Sequence, residues 1–160
     1  MIRPFRLALG AFALATANLA VAAPVMGPVQ TPAAPDFLTQ NAKATGVVTI
    51  SSGLQYQVVT SGPATGQHPG PHDMVNLDYE VTLLNGQVID SSFARGEPLT
   101  GTAGDFVPGF TEALELMRPG DEWIVWVPPL LGYGAKDSGP IPGNSVLRFR
   151  LALHSVTSPN

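Results

Sequence analysis

The 160-residue sequence predicts an α+β domain in which one short amphipathic helix packs against an antiparallel sheet. Three observations carry that expectation. Phe110, Ala113, Leu114 and Met117 recur at i, i+3, i+4 and i+7, which is the apolar stripe of a helix. Val75, Leu77, Tyr79, Val81 and Leu83 alternate with Asn76, Asp78, Glu80 and Thr82, the pattern of a half-buried strand. Asn85-Gly86 then follows, the strongest short hairpin signal. A helix of about ten residues is marginal alone in water, so this one must be held by the sheet.

The chain opens on Arg3 and Arg6, continues through an apolar run from Leu7 to Leu19, and reaches small residues at Ala20 and Ala22 that frame a signal-peptidase site. The run is shorter than the ~20 residues a spanning helix needs, so residues 1–22 read as a cleaved secretory signal and not a membrane anchor. The mature protein is therefore expected to be periplasmic or secreted. Residues 23–46 read as a flexible leader: Pro24 to Pro35 has no periodicity, and Asp36 to Lys43 has room for one or two helical turns with Asp36 as N-cap. That helix is too short to join two chains, so a monomer is expected.

Residues 47–160 form the expected domain. Leu54, Tyr56 and Val58 mark a strand over Ser52 to Val59, and Ser61 to Asp73 is a Gly- and Pro-rich loop. Gln87 to Ser92 is the hairpin return, and Phe93 to Asp105 reads as loop with at most a short strand. Pro108-Gly109 begins the helix, and Pro119-Gly120 stops it because proline lacks the N–H the ladder needs. Glu122 to Val127 is a strand ended by Pro128-Pro129. Leu130 to Gly143 is a loop long enough to be functional. In the last strand Leu147, Phe149, Leu151 and Leu153 alternate with Arg148, Arg150 and His154.

Composition excludes several chemistries. There is no cysteine, hence no disulfide framework and no thiolate. Removal of Arg3 and Arg6 would leave six basic residues against twelve acidic, a formal charge of −6 that argues against a nucleic-acid surface. His68 and His72 stand four apart in a loop where Pro69-Gly70-Pro71 forbids the helix a metal pair would need. No G-x-S-x-G signature occurs, and the serines lie in loops without an identifiable base. Neither a metal nor a cofactor is expected. What remains is a set of apolar and aromatic residues, Tyr79, Ile89, Phe106, Val107, Phe110, Tyr133 and Ile141, with one well-placed acid, Asp90. Each also fits core packing or turn chemistry, and together they fit an apolar ligand pocket with a few polar groups.

Val75-Asn76-Leu77-Asp78-Tyr79, Asn85 to Ser92, Val107 to Leu114, Leu131-Gly132-Tyr133-Gly134 and Ile141 to Phe149 resemble, in order, the motif series of the FKBP-type peptidyl-prolyl cis-trans isomerases. Phe37 through Tyr56 is similar to the lead-in of the exported, macrophage infectivity potentiator-like branch. The resemblance spans about Phe37 to Val156. It implies an antiparallel sheet wrapped around one short helix, with an apolar site between them. Tyr79, Asp90 and Tyr133 match the family's polar site positions, and Phe106, Val107, Ile141 and Phe149 its pocket walls. Phe110 matches the pocket floor, usually Trp. Ile89 and Gly101 stand where an aromatic is usual, and Leu131 replaces a common Tyr, so the walls are smaller. The implied function is isomerisation of X-Pro bonds in exported proteins by non-covalent stabilisation of the twisted amide. Asp90 would polarise hydrogen bonds, and the Tyr133 hydroxyl and the Ile141 N–H would hold substrate carbonyls. Implied partners are proline-containing peptides and unfolded exported proteins, with macrolide inhibitors as candidate ligands. The alternative is a prolyl-peptide-binding chaperone module with little or no turnover.

Overall fold

The structure, a computed structural model, describes residues 33–159. The expected signal peptide at 1–22 and the leader as far as residue 32 lie outside the described residues. In chain order the elements are α1 (Ala34–Asn41), β1 (Val47–Thr49), β2 (Gln55–Thr60), β3 (Met74–Leu83), β4 (Val88–Ser91), α2 (Ser92–Arg95), β5 (Leu99–Thr102), α3 (Pro108–Leu116), β6 (Glu122–Val127) and β7 (Leu147–Thr157). Short 3-10 turns lie at Ala103–Asp105 and Pro129–Leu131. Every strand pair is antiparallel, in the order β1-β2-β6-β7-β3-β4, with β5 also on β3.

The helix stripe lands where its spacing places it. Phe110, Ala113, Leu114 and Met117 are all buried, in one core cluster with Val75, Leu77, Val125, Val127, Leu147 and Leu151. Each large apolar side chain so buried contributes about 1.5–3 kcal/mol relative to exposure. Met117 has already left helical geometry, with φ −85° and ψ 164°, ahead of Pro119. Ser52 Oγ donates to Glu112 Oε2 at 2.8 Å, tying the outer face of α3 to the turn before β2. The exposed His68 ring ties the 61–73 loop to the far end of the helix, through Nδ1 at 3.0 Å from the Met117 carbonyl and Nε2 accepting from Arg118 Nε at 3.0 Å.

Gly109 explains how closely α3 lies on the sheet. A Cβ built there would stand 2.5 Å from Val127 Cγ1, inside van der Waals contact. Gly109→Ala is accordingly expected to destabilise the fold by about 1–3 kcal/mol through overpacking. Urea unfolding should show a lower midpoint at unchanged slope. An unchanged midpoint would mean that Val127 turns aside without cost.

Four expectations need correction. α1 starts at Ala34 behind Ala33, which makes no side-chain cap, and Asp36 lies inside the first turn, where its charge faces the helix N-terminus. Nor is α1 a free leader: Phe37 and Leu38 pack on Ile124, Trp126 and Val146 across the back of the sheet. Gln55 Nε2 donates to the Leu38 carbonyl at 2.8 Å and fixes that docking. The first strand pair is β1 with β2, and β2 starts at Gln55 because Ser52 and Gly53 turn, with Gly53 at φ +90°. Of the alternation seen there, Leu54 is buried while Val58 is 43 % exposed, since β2 runs past the edge of the core. Finally, the 93–105 segment is ordered into α2, β5 and a 3-10 turn.

Candidate active site

The cavity forms where the first turn of α3 faces the inner side of β3 and β7. Phe110 lies 4 % exposed at its base, with Phe106 tilted against it at 4.6 Å between ring centroids. Phe149 meets Phe110 edge-on at 5.2 Å and Tyr79 does so at 6.3 Å. These are favourable arrangements for rings with a negative face and a positive edge. Strand register puts Tyr79 and Phe149 on the same side, because Tyr79 pairs with Leu151 and Val81 with Phe149. The cavity measures about 640 Å³. Its lining includes Tyr79, Ile89, Asp90, Phe106, Val107, Phe110, Tyr133, Ile141 and Phe149, so the structure brings together every residue expected from the sequence.

One edge is polar. The Tyr79 hydroxyl donates to Asp90 Oδ2, Arg95 Nη1 donates to Asp90 Oδ1, and the Ser91 N–H reaches Oδ1 at 2.8 Å. Arg95 Nη2 lies 3.3 Å from the Tyr79 oxygen. The Tyr79 hydroxyl, followed by the Arg95 guanidinium and the Ser91 N–H, holds the Asp90 carboxyl below its ordinary pKa, against a smaller opposing effect of burial. Burial first, then the bond to Asp90, pushes the Tyr79 hydroxyl upward. The arrangement thus presents an ionised carboxylate and a protonated phenol at neutral pH.

The opposite edge is the 132–145 loop. Ser138 N–H bonds the Ile141 carbonyl at 2.8 Å, and Ile141 N–H bonds the Ser138 carbonyl at 3.0 Å. The Ile141 N–H expected to hold a substrate carbonyl is therefore engaged within the loop, while the Ile141 side chain is 6 % exposed in the cavity wall. Tyr133 is 48 % exposed and reaches the cavity from solvent. At Gly101 a Cβ would stand 3.2 Å from Phe106 Cζ, so the Phe106 ring partly fills the space an aromatic there would take.

Sequence reasoning missed Val81, Leu99, Asp105 and Ser138 to Pro140 in the cavity lining and Arg95 as the partner of Asp90. A signal for Arg95 was present. Ser91 accepts from Ala94 N–H as an N-cap, and Gly96 at φ +68° is the left-handed stop, so Ser91 to Gly96 carries both ends of a one-turn helix. That turn brings Arg95 back over Asp90, five residues earlier. A larger groove of about 740 Å³ lies between α1 and the 128–146 region, but its lining has no titratable and no aromatic residue. The polar and aromatic chemistry is concentrated at the Phe110 cavity.

The fold agrees with what the chain is similar to. The profile described as FKBP-type peptidyl-prolyl cis-trans isomerase matches residues 65–154, and that of the domain amino terminal to it matches residues 28–58. The outer membrane protein MIP of Legionella longbeachae is 43% identical over 121 residues, covering 75% of this chain and 51% of that protein. The peptidyl-prolyl cis-trans isomerase Mip of Coxiella burnetii is 44% identical over 121 residues, covering 75% and 52%. The crystal structure of FkpA from Escherichia coli superposes with a TM-score of 0.74 at 38% identity, covering 78% of this chain and 58% of that one. The chain belongs to the FKBP-type peptidyl-prolyl cis-trans isomerase family. It spans about half the length of the curated relatives it matches.

Proposed function

We propose that this chain accelerates cis–trans isomerisation of X-Pro bonds by holding the twisted amide non-covalently in the Phe110 cavity. The observation that carries the reading is an apolar, aromatic-based cavity, ample for a proline ring, with a hydrogen-bonded Tyr79–Asp90–Arg95 edge. Rotation about a peptide bond costs ~18–20 kcal/mol because twisting removes amide resonance. X-Pro is the tractable case, since cis lies only about 0.5–1 kcal/mol above trans. No bond is broken, so the protein need only favour the twisted form. Phe106, Phe110, Phe149, Val107, Ile89 and Ile141 receive the ring and exclude water around a carbonyl that is less polar when twisted. Tyr79 and Asp90 supply fixed dipoles at the rotating amide. The Tyr133 hydroxyl, open to solvent, takes a substrate carbonyl.

The test is prolyl exchange measured by NMR on a short X-Leu-Pro-Phe peptide. Catalysed exchange is expected at substoichiometric protein. Exchange at the uncatalysed rate, with the peptide bound, would replace the isomerase by a binding module that grips prolyl segments; the engaged Ile141 N–H is the feature that favours this second reading. Tyr133→Phe is expected to lower kcat/KM about threefold to tenfold, the worth of one hydrogen bond. Because Tyr133 is half exposed, its melting temperature should not move. Equal loss of stability and activity would make Tyr133 a packing residue.

The substrates we infer are unfolded, proline-containing exported proteins, because the N-terminal 22 residues have the composition of a secretory signal. No helix among the described residues is long and apolar enough to cross a membrane. We further propose that residues 47–160 act as a monomeric unit, and that the cavity accommodates macrolide ligands weakly because Ile89, where an aromatic is usual, leaves one wall low.

A further inference from the structure

β3 changes partner along one edge. Glu80 to Thr82 pair with β4 and Met74 to Leu77 pair with β5, so Asp78 and Tyr79 face no strand there. At this break the Tyr79 N–H donates to Ser92 Oγ at 2.8 Å, and the Ser92 hydroxyl donates to Asp78 Oδ1 at 2.7 Å. Ser92 is fully buried and opens α2, the turn that delivers Arg95. Its hydroxyl therefore does for Tyr79 what a ladder carbonyl does elsewhere in the strand, since buried backbone donors are almost always paired.

The other Asp78 oxygen lies 2.9 Å from His154 Nε2. His154 is there for a specific reason: Asn76 pairs with Ser155 and Leu77 with Leu153, which leaves His154 as the extra residue of a bulge in β7. Bulges re-aim side chains, and this one turns His154 onto Asp78. The Ser92 hydroxyl and then His154 hold the Asp78 carboxyl below its ordinary pKa, consistent with an ionised acceptor between two donors. Asp78, Ser92 and His154 do not line the cavity. Their chain ends on the backbone of a residue that does.

We propose that Ser92, Asp78 and His154 are positioning residues for the prolyl cavity: the chain fixes where β3 hands over to α2, and so sets Arg95 and the Asp90 carboxylate against the Tyr79 hydroxyl. The inference rests on the isomerase reading, in which that edge of the cavity acts on the amide.

The experiment reads the Tyr79–Asp90–Arg95 edge directly as well as the activity. In ¹H–¹⁵N spectra the Arg95 Nε–H reports whether the guanidinium is held, and prolyl exchange gives kcat and KM. Ser92→Ala is expected to shift and broaden the Arg95 signal and to lower kcat/KM about threefold to tenfold, mainly in kcat, as for one lost hydrogen bond. His154→Leu, at an exposed position, is expected to move the same signal less and to lower kcat/KM about twofold, the low end for one hydrogen bond. Ile124→Val, on the opposite face of the sheet, should lower the melting temperature and leave both readouts alone. An unmoved Arg95 signal and unchanged kcat/KM in Ser92→Ala and His154→Leu would overturn the inference. If Ser92→Ala does not fold, His154→Leu and Asp78→Asn decide it by the same readouts. A wild-type protein with no catalysed exchange, whose Arg95 signal still moves in Ser92→Ala, would sink the isomerase reading and leave the positioning role standing.

Discussion

Phe110→Ala is expected to lose about 3–5 kcal/mol of folding stability, the range for deleting a buried aromatic side chain. Phe110 is 4 % exposed, and its ring is in contact with or edge-on to Tyr79, Phe106 and Phe149, so the hole would lie under all three at once. Small domains are stable by only about 5–15 kcal/mol, so urea unfolding should show the variant near the margin. Activity measured on that variant alone would confuse unfolding with loss of the site. Phe110→Leu separates the two, because it keeps an apolar body while removing the flat ring. It is expected to cost about 1 kcal/mol, the centre of the range for point substitutions. Prolyl exchange should nonetheless fall well beyond what the folded fraction explains, since the proline ring would lose the surface it rests on. A Phe110→Leu variant with wild-type exchange would remove Phe110 from the site and leave it a core residue.

Whether an element could be read from the sequence depended on how many residues repeat its pattern. α3 and β3 each carry four or five apolar residues in register, and both appear where the periodicity places them. α1 offers only Phe37 and Leu38 to the sheet with Ala34 beside them, too few for a stripe, and its docking depends on Gln55 and Asn41, partners 14 residues apart. β1 is three residues long and exists through its pairing with β2, which no local pattern records. The same distinction holds in the site. The apolar walls could be read because Tyr79, Phe110 and Phe149 sit on periodic elements, so their faces follow from their positions. The state of the Ile141 N–H could not, and Arg95 could be read only through its flanking cap and stop residues, because both are set by one-turn geometry in Gly- and Ser-rich segments. There the chain direction depends on single residues such as Gly96 and Asn144, the latter at φ +59°. Asp78 and His154 illustrate the limit further. Strict alternation puts both on the polar faces of their strands, and only a bulge in β7 makes them partners.

Asp90→Ala is expected to reduce prolyl exchange about tenfold to a hundredfold, equivalent to roughly 1.4–2.7 kcal/mol of transition-state stabilisation. Folding stability should change by no more than about 1 kcal/mol, because the Asp90 and Arg95 side chains are 44% and 45% exposed and an ion pair so open to solvent is screened. Tyr79→Phe removes the hydroxyl that donates to Asp90, so the two substitutions disable one unit. The double variant should be little worse than either single one, a coupling that a double-mutant cycle measures. Losses that multiply would show that the two groups act separately. The pH profile tests the role assigned to the carboxylate. The folded-state pKa of Asp90 is depressed, so its small contribution to stability is present above the unfolded value of about 4 and is lost as pH falls through the folded value. Tyr79 is shifted the other way, above its unfolded value of about 10, so its hydroxyl stays protonated throughout the neutral range and its contribution is lost only as pH rises through the folded value. Neither group changes charge between about pH 5 and 9. Exchange should be flat across that window if Asp90 works by polarising fixed hydrogen bonds. A steep change inside it that persists in His154→Leu would require a proton moving in the rate-limiting step, and the cavity would then have to be understood as an acid–base site.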